Sequence, residues 1–201
     1  MLRTIRIVLM TVVAVGAGLA MAGTARAFSP TVTKIEKNTD GTITYHFKIK
    51  VDEGTTADAG TAGTKDANPD FFTIYNFYGF VEDSVMTPAG WKFSSEEFGK
   101  TPALNGYPLV LPVDVPGTPN LTWTCVKPVK AGTEVTGFSA KTRVTKTTDG
   151  MYSAQVTRPA TAIEGLAAEP GKPAGKPIKE GRIGTITKPA FLLEVDSGLK
   201  K

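Results

Sequence analysis

Few residues in this chain have the chemistry for catalysis: one histidine, one cysteine and three adjacent carboxylate pairs, Asp52-Glu53, Glu82-Asp83 and Glu96-Glu97. His46 lies between Tyr45 and Phe47, on the side of an alternating run that also carries Thr44, Lys48 and Lys50. A Ser-His-acid triad needs its imidazole beside a nucleophile, and no Gly-x-Ser-x-Gly elbow is present to supply one. His46 therefore reads as a surface histidine on a strand. Glycoside hydrolysis needs two carboxylates facing each other across a cleft, whereas neighbours on a strand point to opposite faces. The three acidic pairs read as solvated loop ends. No catalytic residue is assigned, and hydrolase is the weakest functional expectation.

One histidine and one cysteine cannot build a zinc site without several carboxylates. Calcium takes oxygen ligands, and Asp52, Glu53, Asp58, Asp66 and Asp70 cluster in one Gly/Ala/Thr-rich loop. They are the only metal candidates, and without the Asp-x-Asp-x-Asp-Gly spacing the loop reads as soluble. No cofactor is expected. Cys125 follows Leu121 and Trp123 at alternate positions, so it reads as a small buried hydrophobe beside a tryptophan; a reactive thiol is the alternative. Aromatic rings offer apolar faces with polar edges, which makes Trp91, Tyr78 and Tyr107 the ligand candidates for a stacked sugar. Trp123 reads as core. Asn120-Leu121-Thr122 fits a glycosylation sequon. No phosphate loop or dinucleotide fingerprint occurs.

These residues are carried on short strands. Residues 31–37 and 42–51 flank Asn38-Thr39-Asp40-Gly41, a hairpin signal. In the second arm Ile43, Tyr45, Phe47, Ile49 and Val51 share one face, as a strand with one side in the core requires. Residues 52–70 read as a flexible loop. Residues 70–80 hold six aromatics in eleven positions and read as a central strand covered on both sides. Residues 81–85 and 90–94 are shorter strand candidates. Five prolines in 101–120 make that stretch an extended, ladder-poor connection. Strands over 121–126, 136–146 and 151–158 follow, with Thr147-Thr148-Asp149-Gly150 read as the hairpin turn between the last two. Residues 159–181 read as a Pro/Gly/Ala/Lys loop, then 182–187 as a last strand and 191–195 as a short terminal one. About eight short strands without a convincing amphipathic helix predict an all-β fold, an antiparallel β-sandwich of jelly-roll or immunoglobulin-like type.

The chain opens with Arg3 and Arg6, an apolar run over 7–22, and Thr24-Ala25-Arg26-Ala27. That is the pattern of a cleaved signal peptide over 1–27, with cleavage between Ala27 and Phe28. The apolar run is diluted by Gly16 and Gly18 and is short of the about 20 residues of a membrane span. The only cysteine is far from the cleavage site, which excludes lipidation there, and Arg3 and Arg6 are not a twin-arginine pair. Sec-type export to an extracellular, periplasmic or cell-surface location is expected. The net charge of +4 falls to +1 once Arg3, Arg6 and Arg26 leave. The remaining excess lies in residues 172–201, so a phosphate-neutralising face for nucleic acid is missing. The mature chain suits one domain over 28–188, followed by a short basic tail over 189–201.

The blocks Asp70-Phe71-Phe72-Thr73-Ile74-Tyr75 with Gly79-Phe80, then Pro88-Ala89-Gly90-Trp91, Pro119-Asn120-Leu121-Thr122-Trp123, Gly137-Phe138-Ser139-Ala140 and Gly184-Thr185-Ile186-Thr187, occur in that order. In this the chain resembles exported β-rich proteins of the PEP-CTERM sorting-domain type across residues 29–188. The resemblance implies an extracytoplasmic β-domain with no catalytic residues to carry over. Such proteins end in a Pro-Glu-Pro motif, a transmembrane helix and a basic tail. Here Pro189-Ala190-Phe191-Leu192-Leu193-Glu194-Val195 is followed by Asp196-Ser197-Gly198-Leu199-Lys200-Lys201, too short an apolar stretch to cross about 30 Å of hydrocarbon. No integral membrane anchor is expected after leader cleavage, which leaves the protein released, periplasmic or held by a partner. The expected function is a secreted or cell-surface, non-catalytic β-domain with a structural or interaction role. Its partner would be a cell-surface or matrix protein or a glycan. A carbohydrate-binding module using exposed aromatics is the alternative.

Overall fold

A computed structural model describes residues 28–60, 68–102, 111–158 and 177–191. These residues form eight strands: β1 (Ser29–Lys37), β2 (Ile43–Lys50), β3 (Phe71–Ile74), β4 (Trp91–Glu96), β5 (Asn120–Cys125), β6 (Glu134–Thr142), β7 (Thr147–Arg158) and β8 (Ile178–Pro189). They build two antiparallel sheets, ordered β1-β2-β6 and β4-β5-β3-β7-β8, and no helix occurs among the described residues. The expected β-sandwich is the observed architecture. All five blocks of the resemblance contribute residues to strands of this sandwich.

The β1–β2 hairpin forms as its turn chemistry requires. Gly41 takes a φ of 82°, which only glycine adopts without strain, and Asp40 accepts hydrogen bonds from the Thr42 backbone N–H and hydroxyl. The alternation of β2 sends Ile43, Tyr45, Phe47 and Ile49 into the core and leaves His46 and Lys48 half-exposed outside. Between Phe47 and Ile49 the β6 partner slips from Phe138 to Val135. The slip is a bulge at Gly137, whose φ of 91° suits the left-handed position of such bulges.

The core between the sheets is aromatic. Trp123 stacks on Phe72 with ring centroids 5.0 Å apart and also meets Phe47, Phe93 and Phe138. Trp91, expected as a ligand platform, is instead buried against Phe28, Phe72 and Phe138. A strand-start tryptophan on the inner face of a sandwich gains more from burial than from stacking a ligand. Cys125 is fully buried and donates its Sγ–H to the Lys127 carbonyl at 3.0 Å. Burial pushes its thiol up to about 11, so it is the inert core residue the sequence suggests.

Several elements differ from expectation for local reasons. The aromatic segment stays extended only to Ile74, because Asn76 turns into the left-handed region at φ 51°. Within β3 both faces are buried, as expected of a central strand: Phe72 and Ile74 face the core, and Thr73 bonds Thr122 on the other side. Residues 81–85 are not a strand. The loop around them turns at Asp83 (φ 58°) and caps the outer edge of β6 through Phe80 and Met86. Asp149-Gly150 is no turn either, since β6 and β7 belong to different sheets and residues 147–150 pair with β8. β8 starts at Ile178, inside the stretch read as loop, and runs to Pro189, into the stretch read as tail. Thr56 and Ala57, in the expected 52–70 loop, bridge to Thr157 and Val129. Phe191 follows β8 without strand pairing, and the rest of 191–195 lies outside the described residues.

Candidate functional site

The sequence candidates scatter. Tyr107, Asp66 and Ala27 lie outside the described residues, and Phe28, the residue after the expected cleavage site, is a fully buried core residue. His46 Nε2 sits 3.3 Å from Glu36 Oε2 on the outer face of the β1–β2 sheet. Asp70 is not a calcium ligand. Its carboxylate is fully buried and accepts from the Asp58 backbone N–H at 2.7 Å, the Thr157 hydroxyl at 2.8 Å and the Lys179 ammonium at 2.9 Å. A cation there would face an ammonium, not a vacant cage. Burial raises the Asp70 carboxyl above the ordinary aspartate range against the lowering pull of Lys179. Asp52, Glu53 and Asp58 do not come together as a ligand set: no group of three His, Cys, Asp or Glu is placed to hold a metal among the described residues. Asn120 of the sequon is also fully buried. Its amide nitrogen donates to the Glu97 carbonyl and to Asp114, which closes it to modification in the folded domain.

Tyr78 is the one described aromatic candidate that reaches a cavity. Its ring packs on Phe191 with centroids 5.0 Å apart, and both line a cavity of about 370 Å³ with Asn76, Thr148, Asp149 and Lys188. That volume falls within the about 300–1,000 Å³ typical of ligand pockets. Strand pairing builds the cavity. Thr148 of β7 lies opposite Lys188 of β8, and Gly150 lies opposite Ile186. The Lys188 side chain crosses the strand over Gly150, where a Cβ would stand 1.9 Å from its Cε. Gly150 is therefore needed for close approach, which explains why a glycine follows Asp149 without a turn.

Lys188 is only 6% exposed. Its ammonium donates to the Asn76 carbonyl at 2.6 Å and lies 4.8 Å from the centroid of the Tyr78 ring. The left-handed turn at Asn76 positions that carbonyl. The turn is held by three bonds of Asn76: its backbone N–H to Asn120 Oδ1, its side-chain amide to the Val113 carbonyl, and its Oδ1 from the Val115 N–H. Among the described residues Lys188 forms no ion pair with a carboxylate. Burial pushes its ammonium down to about 8. The other titratable groups lining the cavity are Asp149, Tyr75 and Tyr78, and burial raises the Tyr75 hydroxyl above its ordinary range. A buried, uncompensated cation beside an aromatic wall is the strongest chemical feature of the described structure.

The sequence singled out Tyr78 but offered no signal for Lys188, because a lysine near the end of a β-rich segment looks like any solvated lysine. Titration would expose it. Between about 8 and the ordinary lysine value of 10.5 the unfolded chain binds more protons than the folded one, so Lys188 makes the fold more stable as pH rises through that window. The stability of wild type relative to Lys188→Met should grow by about 1–2 kcal/mol from pH 7.5 to 10.5, after solvent screening. Urea melts of both proteins at several pH values check this. An unchanged difference would mean that Lys188 titrates as a free lysine. No family model matches the chain, and no curated protein or solved structure matches it either.

Proposed function

We propose that this chain is an exported, non-catalytic β-sandwich with an interaction role at the cell surface or in the extracellular matrix, and that it binds a glycan through the Lys188 cavity. The cavity is the observation that carries the reading. It combines an apolar aromatic wall, Tyr78 with Phe191, with polar groups from Asn76, Thr148, Asp149 and Lys188, the mix that sugar recognition uses. Export is supported by the leader pattern, by the ordered blocks resembling exported PEP-CTERM-type proteins, and by Phe28. The side chain that would follow cleavage packs edge-on against Phe72 and Trp91, which fits a leader ending at Ala27. A non-catalytic role is supported by the engagement of the obvious reactive groups: His46 with Glu36, Asp70 with Lys179, and Cys125 in the core.

A second reading, docking of a protein partner along a sheet edge, is favoured by the strand order. β1, β4 and β8 each end a sheet, and exposed edges are natural sites of strand addition. β6 also ends a sheet but is capped by the loop carrying Phe80 and Met86. One experiment separates the two. The purified protein, its Lys188→Met variant and its Tyr78→Ala variant, each checked for folding by circular dichroism, are tested on a polysaccharide panel and on cells of the source. Saturable polysaccharide binding lost in both variants is the expected result. Binding to cells but to no polysaccharide, retained by both variants, would replace the glycan reading with edge docking.

A further inference from the structure

The geometry points to an acidic sugar as the ligand: we propose that the Lys188 cavity takes a carboxylate-bearing sugar residue of a polysaccharide, with the carboxylate on the Lys188 ammonium and the ring face on Tyr78 and Phe191. This rests on the glycan reading above and narrows it to one chemical class. Lys188 has three N–H donors, and one is spent on the Asn76 carbonyl. The ammonium borders the cavity with no carboxylate partner among the described residues. A buried charge that, among the described residues, is held by one neutral acceptor and the face of the Tyr78 ring is costly for the empty protein, and a ligand anion offsets that cost on binding. Charge-assisted hydrogen bonds of this kind are about twice as strong as neutral ones.

The rest of the lining distinguishes a sugar acid from other anions. A bare inorganic anion would use neither the Tyr78 nor the Phe191 ring. A flat apolar carboxylate would leave the exposed groups of Thr148 and Asp149 without a partner. Hydroxyls next to the carboxylate can donate to Asp149 and exchange bonds with Thr148. Asp149 already accepts only a long bond, 3.4 Å, from Thr187, which leaves acceptor capacity for a sugar hydroxyl. The cavity lies at the small end of the ligand range, so it fits one or two rings of a longer chain.

The test is calorimetric titration of the purified protein with three probes: a trigalacturonate, the matched neutral galactose trisaccharide, and a glutamate-rich peptide. Lys188→Met and Tyr78→Ala are measured beside wild type. The expected result is trigalacturonate binding at least about tenfold tighter than either other probe, abolished in Lys188→Met. Tyr78→Ala removes the ring on which the sugar face rests and leaves Lys188 in place, so it should weaken trigalacturonate binding at least about tenfold; this arm stands even if Lys188→Met fails to fold, and full affinity in a folded Tyr78→Ala variant would overturn the assignment. Three further outcomes would overturn the acidic-sugar assignment: equal affinity for the neutral trisaccharide, equal affinity for the peptide, or full trigalacturonate affinity in a folded Lys188→Met variant. Neutral-sugar binding that Tyr78→Ala removes would overturn it while leaving the glycan reading intact. Binding of no saccharide would overturn both.

Discussion

Replacing Asp70 with alanine should destabilise the domain by about 3–5 kcal/mol, the range for breaking a buried ion pair by removing one partner. The carboxylate ties three segments together: the Asp58 backbone, Thr157 on β7 and Lys179 on β8. Truncation leaves the Asp58 N–H and the Thr157 hydroxyl short of an acceptor, and Lys179 loses its closest anion. Asp58 remains 3.9 Å from Lys179 on the rim, too far and too exposed to compensate. Asp70→Asn should recover part of the loss, because an amide oxygen still accepts from one donor. The pH dependence has a defined sign. Burial raises the folded carboxyl above its ordinary 3.8, so the folded state binds more protons than the unfolded one as pH falls towards that value. The advantage of wild type over Asp70→Ala therefore grows on acidification in that window. Urea melts at pH 7 and pH 4.5 would measure both effects. A loss under about 1 kcal/mol would show that the ion pair behaves as a screened surface contact.

The second large effect is expected at Trp123. Its ring is fully buried and meets four other aromatics from β2, β3, β4 and β6, so it joins the two sheets through their centre. Trp123→Ala removes the largest fully buried side chain of the core and leaves a cavity lined by rings whose backbones sit in paired strands. Such walls relax little, which places the loss at about 3–5 kcal/mol. Small domains have about 5–15 kcal/mol in total, so the variant is expected to melt far lower or to lose cooperative unfolding. Trp123→Phe keeps most of the packing. It also removes a buried indole Nε1–H that has no hydrogen-bond partner among the described residues, so it should lose much less than the alanine variant. Equal losses for Phe and Ala would show that the indole itself, not its bulk, holds the sheets together.

Legibility in the sequence followed the range of the interactions. The β1–β2 hairpin was readable because Asp40-Gly41 and the alternation of β2 act over neighbouring residues. The buried roles of Trp123 and Cys125 were readable for the same reason, since position on a strand face decides them. Asp149-Gly150 carried the same dipeptide as Asp40-Gly41 with a different cause. Gly41 has a positive φ, whereas Gly150 makes room for Lys188, a residue 38 positions later on the paired strand. No local pattern separates those two uses of glycine. Asn76 ended the aromatic strand early because its side chain and backbone bond Val113, Val115 and Asn120, a network that exists only once the sheet is assembled. The acidic residues around Asp70 suggested a metal loop because their pairing with Lys179 spans 109 positions. Lys188 was invisible for a related reason: its burial, its Asn76 contact and the lack of a carboxylate beside it among the described residues are all products of tertiary packing.

The most direct test of the central claim, that the domain works through the Lys188 cavity, is chemical-shift mapping on the isotope-labelled protein titrated with the polysaccharide that binds best in the panel. The expected shifts concentrate on Asn76, Tyr78, Thr148, Asp149 and Lys188, and they disappear in Lys188→Met while the rest of the spectrum keeps its folded dispersion. Shifts confined to the sheet-end strands β1, β4 or β8, unchanged by Lys188→Met, would contradict the claim and place recognition on the sheet edges.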